Sequence, residues 1–78
     1  MRKVIVYSTS TCSHCIQAKK FFDDNNIEYE NFDVSVDSLK IDEMVKKSGQ
    51  MGVPVIDIDG VIIVGFEKNK ISELLEIS

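Results

Sequence analysis

Apolar residues along this chain arrive in short runs whose period changes several times. Val4, Ile5, Val6 and Tyr7 form a near-continuous run of β-formers and predict a first strand over residues 3–8. A run without alternation suits a strand covered on both faces. After the polar link Ser8-Thr9-Ser10-Thr11 the period becomes helical. A helix is expected over 13–25, with Cys15, Ala18 and Phe22 on one stripe, widened by Ile16 or Phe21. Gln17, Lys20, Asp23 and Asp24 then face water, Thr11 is the candidate N-cap, and Asn25-Asn26 is the stop. Residues 27–32 set Ile27, Tyr29 and Asn31 against Glu28, Glu30 and Phe32, an imperfect alternation that predicts a second strand.

A second helix is expected over 38–48, with Leu39, Ile41, Met44 and Val45 on its apolar side. Lys40, Asp42, Glu43, Lys46 and Lys47 make its wet side, and Gly49 suits the left-handed residue after a helix end. Asp59-Gly60 is a two-residue hairpin signal joining strands over 55–58 and 61–64 as antiparallel neighbours. Gly65 interrupts the second arm, and a last helix over 68–76 turns Ile71, Leu74 and Leu75 inward. The order β-α-β-α-β-β-α predicts an α/β fold, a four-stranded mixed sheet with three helices on its faces. Repeats, low-complexity segments and an interdomain linker are absent, so residues 1–78 read as a single domain.

Composition narrows the function classes. The chain is 44% hydrophobic and 28% charged, ordinary globular usage. Its net charge of -4 is spread among interspersed acids and bases, which offers no basic surface to a phosphate backbone. Nucleic acid is therefore not an expected partner. The apolar runs are too short to span a bilayer, and the first residues show no export signature. The expected setting is the reducing cytoplasm, with no membrane partner and a monomeric protein.

Two cysteines are too few for a disulfide framework of the kind that staples small secreted domains. Cys12-Ser13-His14-Cys15 closes so small a loop that the bond would remove little entropy from the unfolded chain. Redox chemistry is the better reason for the pair. It follows a strand and opens a helix, where unpaired N–H groups and the helix dipole favour a thiolate. Cys12, on the loop side, is the expected nucleophile, and Cys15, one turn inward, the resolving residue. The competing reading is half of a zinc site. A structural zinc needs about four protein ligands, and His14, the only histidine, sits inside the turn, where it is poorly placed to close a tetrahedron. His14 is either a solvated surface residue or, when charged, a source of positive potential beside the Cys12 sulfur.

With the cysteine pair and Gly52-Val53-Pro54-Val55 in view, the chain resembles the glutaredoxins of the thioredoxin-fold superfamily over essentially its whole length. The resemblance rests on a set of features. Val6-Tyr7-Ser8 leads to the cysteine pair, Val53-Pro54 precedes a strand, Asp59-Gly60 makes a hairpin, and Gly65 precedes the final helix. The run from Val64 to Ile71 is similar to the end of the thioredoxin-reductase-linked glutaredoxin-like proteins that donate electrons to ribonucleotide reductase.

This resemblance implies a thioredoxin-like fold and a dithiol–disulfide oxidoreductase. It implies a cis Pro54 lying across from the cysteines, with Tyr7, Val53 and Pro54 as substrate-binding residues and Ser13 and His14 modulating the pair. It implies no metal and no tightly bound cofactor beyond the redox-active disulfide Cys12–Cys15. Electrons would come ultimately from NADPH, through a thioredoxin reductase docking near Phe66 and Lys68 or through glutathione. The clients would be disulfide-containing proteins, ribonucleotide reductase among them. The chain departs from the family pattern at Ser13, where most members have proline, and at His14, where glutathione-dependent members often have tyrosine. Thr9 stands where glutathione users carry a basic residue, and Val64-Gly65 where they carry two glycines. These substitutions remove a carboxylate partner and add a side chain where close approach is needed, favouring the reductase as donor. Glutathione-dependent reduction of mixed disulfides is the alternative. A non-catalytic redox sensor or metal-binding protein is the reading from another class.

Overall fold

The computed structural model describes residues 3–76. Its elements are β1 (Val4–Ser8), α1 (Ser13–Asp24), β2 (Glu30–Asp33), α2 (Ser38–Ser48), β3 (Val55–Ile58), β4 (Val61–Val64) and α3 (Lys68–Leu75). The strands form one sheet in the order β2-β1-β3-β4. β1 runs parallel to β2 and antiparallel to β3, and β3 runs antiparallel to β4. This is the expected mixed sheet with three helices. Its two central strands, β1 and β3, are the ones with near-continuous burial, because both of their faces are covered.

Strand alternation divides the interior in two. Val4, Val6, Ile56, Ile58 and Ile63 point to the face where Ala18 and Phe22 of α1 and Ile71 of α3 pack. Tyr7 and Val55 point to the other face, with Val34 just after β2, Met44 of α2, and Ile41, Val53 and Ile62 at the margin. The hairpin turn has positive φ at both Asp59 and Gly60, as a two-residue loop matched to the strand twist requires. The Gly60 N–H also donates to Asp57 Oδ1 at 2.8 Å. Gly49 takes the left-handed position at the end of α2. Among the described residues no helix is long and apolar enough to cross a membrane.

Three local expectations are corrected, and one alternative left open, whether Ile16 or Phe21 widens the α1 stripe, is resolved. The N-cap of α1 is Cys12, not Thr11, because the Cys12 sulfur accepts from the Cys15 N–H. β2 begins at Glu30 rather than at residue 27, because the end of α1 claims the intervening chain. There the Asn26 N–H donates to the Asp23 carbonyl and the Ile27 N–H to the Phe22 carbonyl at 2.9 Å, a Schellman closure with Asn26 left-handed. Ile27 and Tyr29 still pack on the core, as cap and link rather than strand. Ile16 stays exposed, and Phe21 alone widens the α1 stripe. Leu39, expected on the apolar side of α2, is 78% exposed; Lys47 is exposed as expected, and with the half-buried Glu43 it brings its charged end to the Tyr7 hydroxyl.

Phe22 has no exposed surface and holds Tyr29, with ring centroids 5.5 Å apart. Removing the ring leaves a cavity that a sheet and two helices cannot collapse to fill. Phe22→Ala is expected to cost about 3–5 kcal/mol, a large share of what a domain of this size has. Urea unfolding followed by circular dichroism measures it.

Candidate active site

Both cysteines sit at the end of the sheet where β1 finishes. Ser8 is buried, and its hydroxyl donates to Asn31 Oδ1 at 2.6 Å, tying the end of β1 to β2. The chain then turns through the exposed Ser10 and Thr11. The Cys12 N–H donates to the Thr9 carbonyl at 3.4 Å, and α1 starts. Cys12 is extended and half-buried, so its sulfur lies at the helix entrance, accepting from the Cys15 N–H at 3.2 Å. That bond satisfies one of the first-turn N–H groups which no helical carbonyl can reach. Cys15, one turn on, is fully buried, and both cysteines are free thiols.

The environments of the two sulfurs differ accordingly. Burial pushes the Cys15 thiol up from 9.0 to about 11, reinforced by its hydrogen bond with Cys12. The Thr9 backbone and the Lys19 ammonium pull the other way. Cys15 is thus a protonated, shielded thiol at neutral pH, beside a sulfur with access to solvent.

Val53-Pro54 completes the site from the other strand. Their peptide bond is cis, and Pro54 is buried. The Cys12 thiol donates to the Val53 carbonyl at 3.9 Å, so this segment lies directly across from the nucleophile candidate. The Pro54 carbonyl in turn accepts from the Gly65 N–H at 2.8 Å, which places the start of the chain into α3 beside the same segment. Gly65 needs its positive φ of 84° to make that turn.

The structure brings Cys12, Cys15, Val53 and Pro54 together, with Ser13 and His14 exposed on the first turn of α1. Phe66 is half-buried against Phe21, centroids 5.8 Å apart, and the Lys68 ammonium stands 5.7 Å from the same ring. Phe66 therefore offers only part of its ring to a docking partner. Tyr7 is a correction. Expected among the substrate-binding residues, it has no exposed surface, because its ring fills the core under α2. Its hydroxyl donates to Glu43 and accepts from Lys47 Nζ at 2.8 Å. Lys47 also reaches the nearly buried Asp57, again at 2.8 Å. Sequence pattern alone does not single out Glu43, Lys47 and Asp57 as a cluster. The available signal is an acid between two isoleucines in a buried strand, which needs a partner. Among the described residues no three His, Cys, Asp or Glu side chains gather as a metal site would need. A groove lined by Lys3, Val4, Ile27, Tyr29 and Leu75 contains neither cysteine.

Comparison with known proteins agrees with this geometry. The sequence profile of the glutaredoxin family matches residues 4–63. A glutaredoxin-like 8.6 kDa protein of Clostridium pasteurianum, from a rubredoxin operon, is 45% identical over 71 residues, covering 91% of this chain and 95% of that one. Glutaredoxin 3 of Escherichia coli is 32% identical over 65 residues, covering 83% and 78%. Among solved structures, a point mutant of the thioredoxin-like protein BC3987 superposes with a TM-score of 0.92 at 33% identity, covering the whole of both chains. The glutaredoxin of Archaeoglobus fulgidus superposes with a TM-score of 0.87 at 25% identity, covering 96% and 87%.

The burial of Cys15 has a measurable consequence. Its proton is held more tightly folded, to about 11, than in the unfolded chain, near 9.0. The resulting stability is present in full below pH 9.0 and declines as pH rises toward about 11. Thiolate absorbance followed against pH is expected to show a step near about 11 in the wild type. In Cys12→Ser the step moves down but stays above 9.0, since burial is the larger cause.

Proposed function

The chain belongs to the glutaredoxin family of thiol–disulfide oxidoreductases, and on that premise we propose that it reduces disulfides in proteins through Cys12 and Cys15. The observation that carries this reading is the asymmetry of the pair: an accessible sulfur at a helix entrance backed by a fully buried one.

The proposed cycle has two exchanges. The Cys12 thiolate attacks one sulfur of the client disulfide, a mixed disulfide forms, and the other client sulfur leaves as a thiolate that takes up a proton. Cys15 then loses its proton and attacks the Cys12 sulfur. The second client sulfur leaves, and Cys12–Cys15 remains as a disulfide. Two electrons have passed to the client, and a donor must return them. Burial of Cys15 suits the order of events, since a protonated thiol does not compete for the client before Cys12 has reacted. The cycle needs no metal and no tightly held cofactor. The Val53-Pro54 segment across from Cys12 suits an extended client chain laid along it.

For the donor we favour a thioredoxin-reductase-type protein drawing on NADPH, with ribonucleotide reductase as one fitting client. Thr9 supplies no cation for a glutathione carboxylate, and Val64 puts an exposed side chain beside Gly65. Glutathione is the competing donor, and the exposed Lys68 is the cation that would receive it.

Cys15→Ser is expected to accumulate a mixed disulfide with the client, and mass mapping to find it on Cys12. A stable adduct on Cys15 in the reciprocal variant, with Cys12 unreactive, reverses the assignment. Turnover of one protein disulfide is then compared with NADPH plus thioredoxin reductase and with NADPH, glutathione and glutathione reductase. The first system is expected to run at least about tenfold faster at equal substrate, a difference in transition-state binding of about 1.4 kcal/mol. Turnover with glutathione only would assign the protein to the glutathione-dependent class.

A further inference from the structure

Helix α2 has a thin apolar grip on the sheet: Met44 is its buried residue, and Leu39 points to water. Ile41 packs at the margin, and polar side chains add to this grip. Glu43 and Lys47, one turn apart, converge on the Tyr7 hydroxyl, which donates to the carboxylate and accepts from the ammonium. Lys47 Nζ donates also to Asp57 Oδ2, and lies 5.2 Å from the Tyr7 ring centroid. One ammonium therefore joins α2, β1 and β3. Burial works against the Lys47 charge, but the bonds to Asp57 and Tyr7 outweigh it and hold its proton tightly. Glu43 is held below its usual range by the Tyr7 hydrogen bond. Of the three charges only Asp57 is buried, and an ion pair that reaches a buried acid is weak evidence for stability; its better-attested use is to fix one arrangement among several.

What this cluster fixes lies close to the cysteines. Tyr7 pairs across the ladder with Val55, the residue after Pro54. From Lys47 the chain reaches Val53 through a short, stiffened segment. The Gln50 side-chain amide clasps both ends of Gly52, accepting from its N–H at 2.6 Å and donating to its carbonyl at 3.0 Å. A Cβ on residue 52 would lie 2.7 Å from Gln50 Oε1, so glycine is what lets the clasp close. The Val53 carbonyl, next in the chain, faces the Cys12 sulfur. Lys47 is thus connected to the segment opposite the nucleophile both through the Tyr7–Val55 rung and through the chain itself.

We infer that Lys47 is a positioning residue for exchange with protein disulfides, holding the Val53–Pro54 segment across from Cys12 by tying the root of the preceding loop to Tyr7 and Asp57. This rests on the reading that Cys12 exchanges with an extended client chain laid along that segment. A small disulfide needs only the sulfurs and is indifferent to where the segment lies. A protein disulfide needs both.

The test compares wild type, Lys47→Met and Lys47→Arg on insulin and on bis(2-hydroxyethyl) disulfide, at a temperature where circular dichroism shows each protein folded. Lys47→Met is expected to lose about three- to tenfold in kcat/KM on insulin, mainly through KM, and less than about twofold on the small disulfide. Lys47→Arg, which keeps charge and donors, is expected to recover most of the loss. Should Lys47→Met not fold, Tyr7→Phe carries the test. It keeps the ring and the Lys47–Asp57 pair, removes the hydroxyl, and is expected to show a smaller loss with the same substrate preference. Equal losses on the two substrates in folded protein, or no loss, overturn the inference. Failure of the wild type to reduce insulin while reducing the small disulfide overturns the parent reading instead.

Discussion

The antiparallel pairing of β1 with β3 is the constraint from which the site follows. Its rung at the cysteine end joins Tyr7 to Val55, and both candidate site segments diverge from there. On one side the chain runs through Ser8 to Cys12. On the other, Pro54 and Val53 precede Val55 by one and two residues. Segments far apart in sequence are brought within a sulfur–carbonyl contact because the ladder between them is short and central. A one-residue slip would turn Tyr7 and Val55 to the opposite face and carry the site with them. The apolar alternation of Val4, Val6, Ile56 and Ile58 against Tyr7 and Val55 guards against that slip.

The same frame makes the two sulfurs unequal. Cys15 follows the stripe of Ala18 and Phe22 and is driven under the helix by the force that buries them. Cys12 escapes because it is the cap and belongs to no helical face. Two thiols of one residue type, three positions apart, are thereby divided into one half-buried at the helix entrance and one fully buried. A protected, protonated Cys15 follows first from burial, with the hydrogen bond to Cys12 adding to it.

The sheet's two faces are held by different chemistry. Under α1 and α3 the contact is almost wholly apolar, with the rings of Phe66, Phe21 and Tyr29 at the margin linked through one another and the buried Phe22. Under α2 it is mixed, with a chain of polar contacts running from Gly60 through Asp57, Lys47 and Tyr7 to Glu43. Apolar contact is tolerant of small sliding, whereas hydrogen bonds of fixed length and direction are not. The helix whose end leads to Val53 is the one located by the stricter kind.

Much of this was legible in order and period. The element order, the sheet class, the Asp59-Gly60 hairpin, Gly49 at a helix end and the Cys12–Cys15 pair opening α1 all rest on local signals: periodicity, turn chemistry and motif spacing. The misplaced start of β2 is a local failure too, since the Schellman closure at Asn26 consumes the N–H groups that alternation alone assigns to a strand. Thr11 lost the cap to Cys12, the residue before the helix starts, whose sulfur accepts from the Cys15 N–H. Three-dimensional packing alone decided the rest. The side of the sheet that Tyr7 faces, the reach of the Glu43 and Lys47 side chains to its hydroxyl, and the exposure of Leu39 depend on how α2 is rotated over strands formed far away in sequence. Helical period says which residues share a face. Which face meets the sheet depends on the partners waiting there, here Tyr7 and Asp57, whose buried polar atoms Lys47 partners.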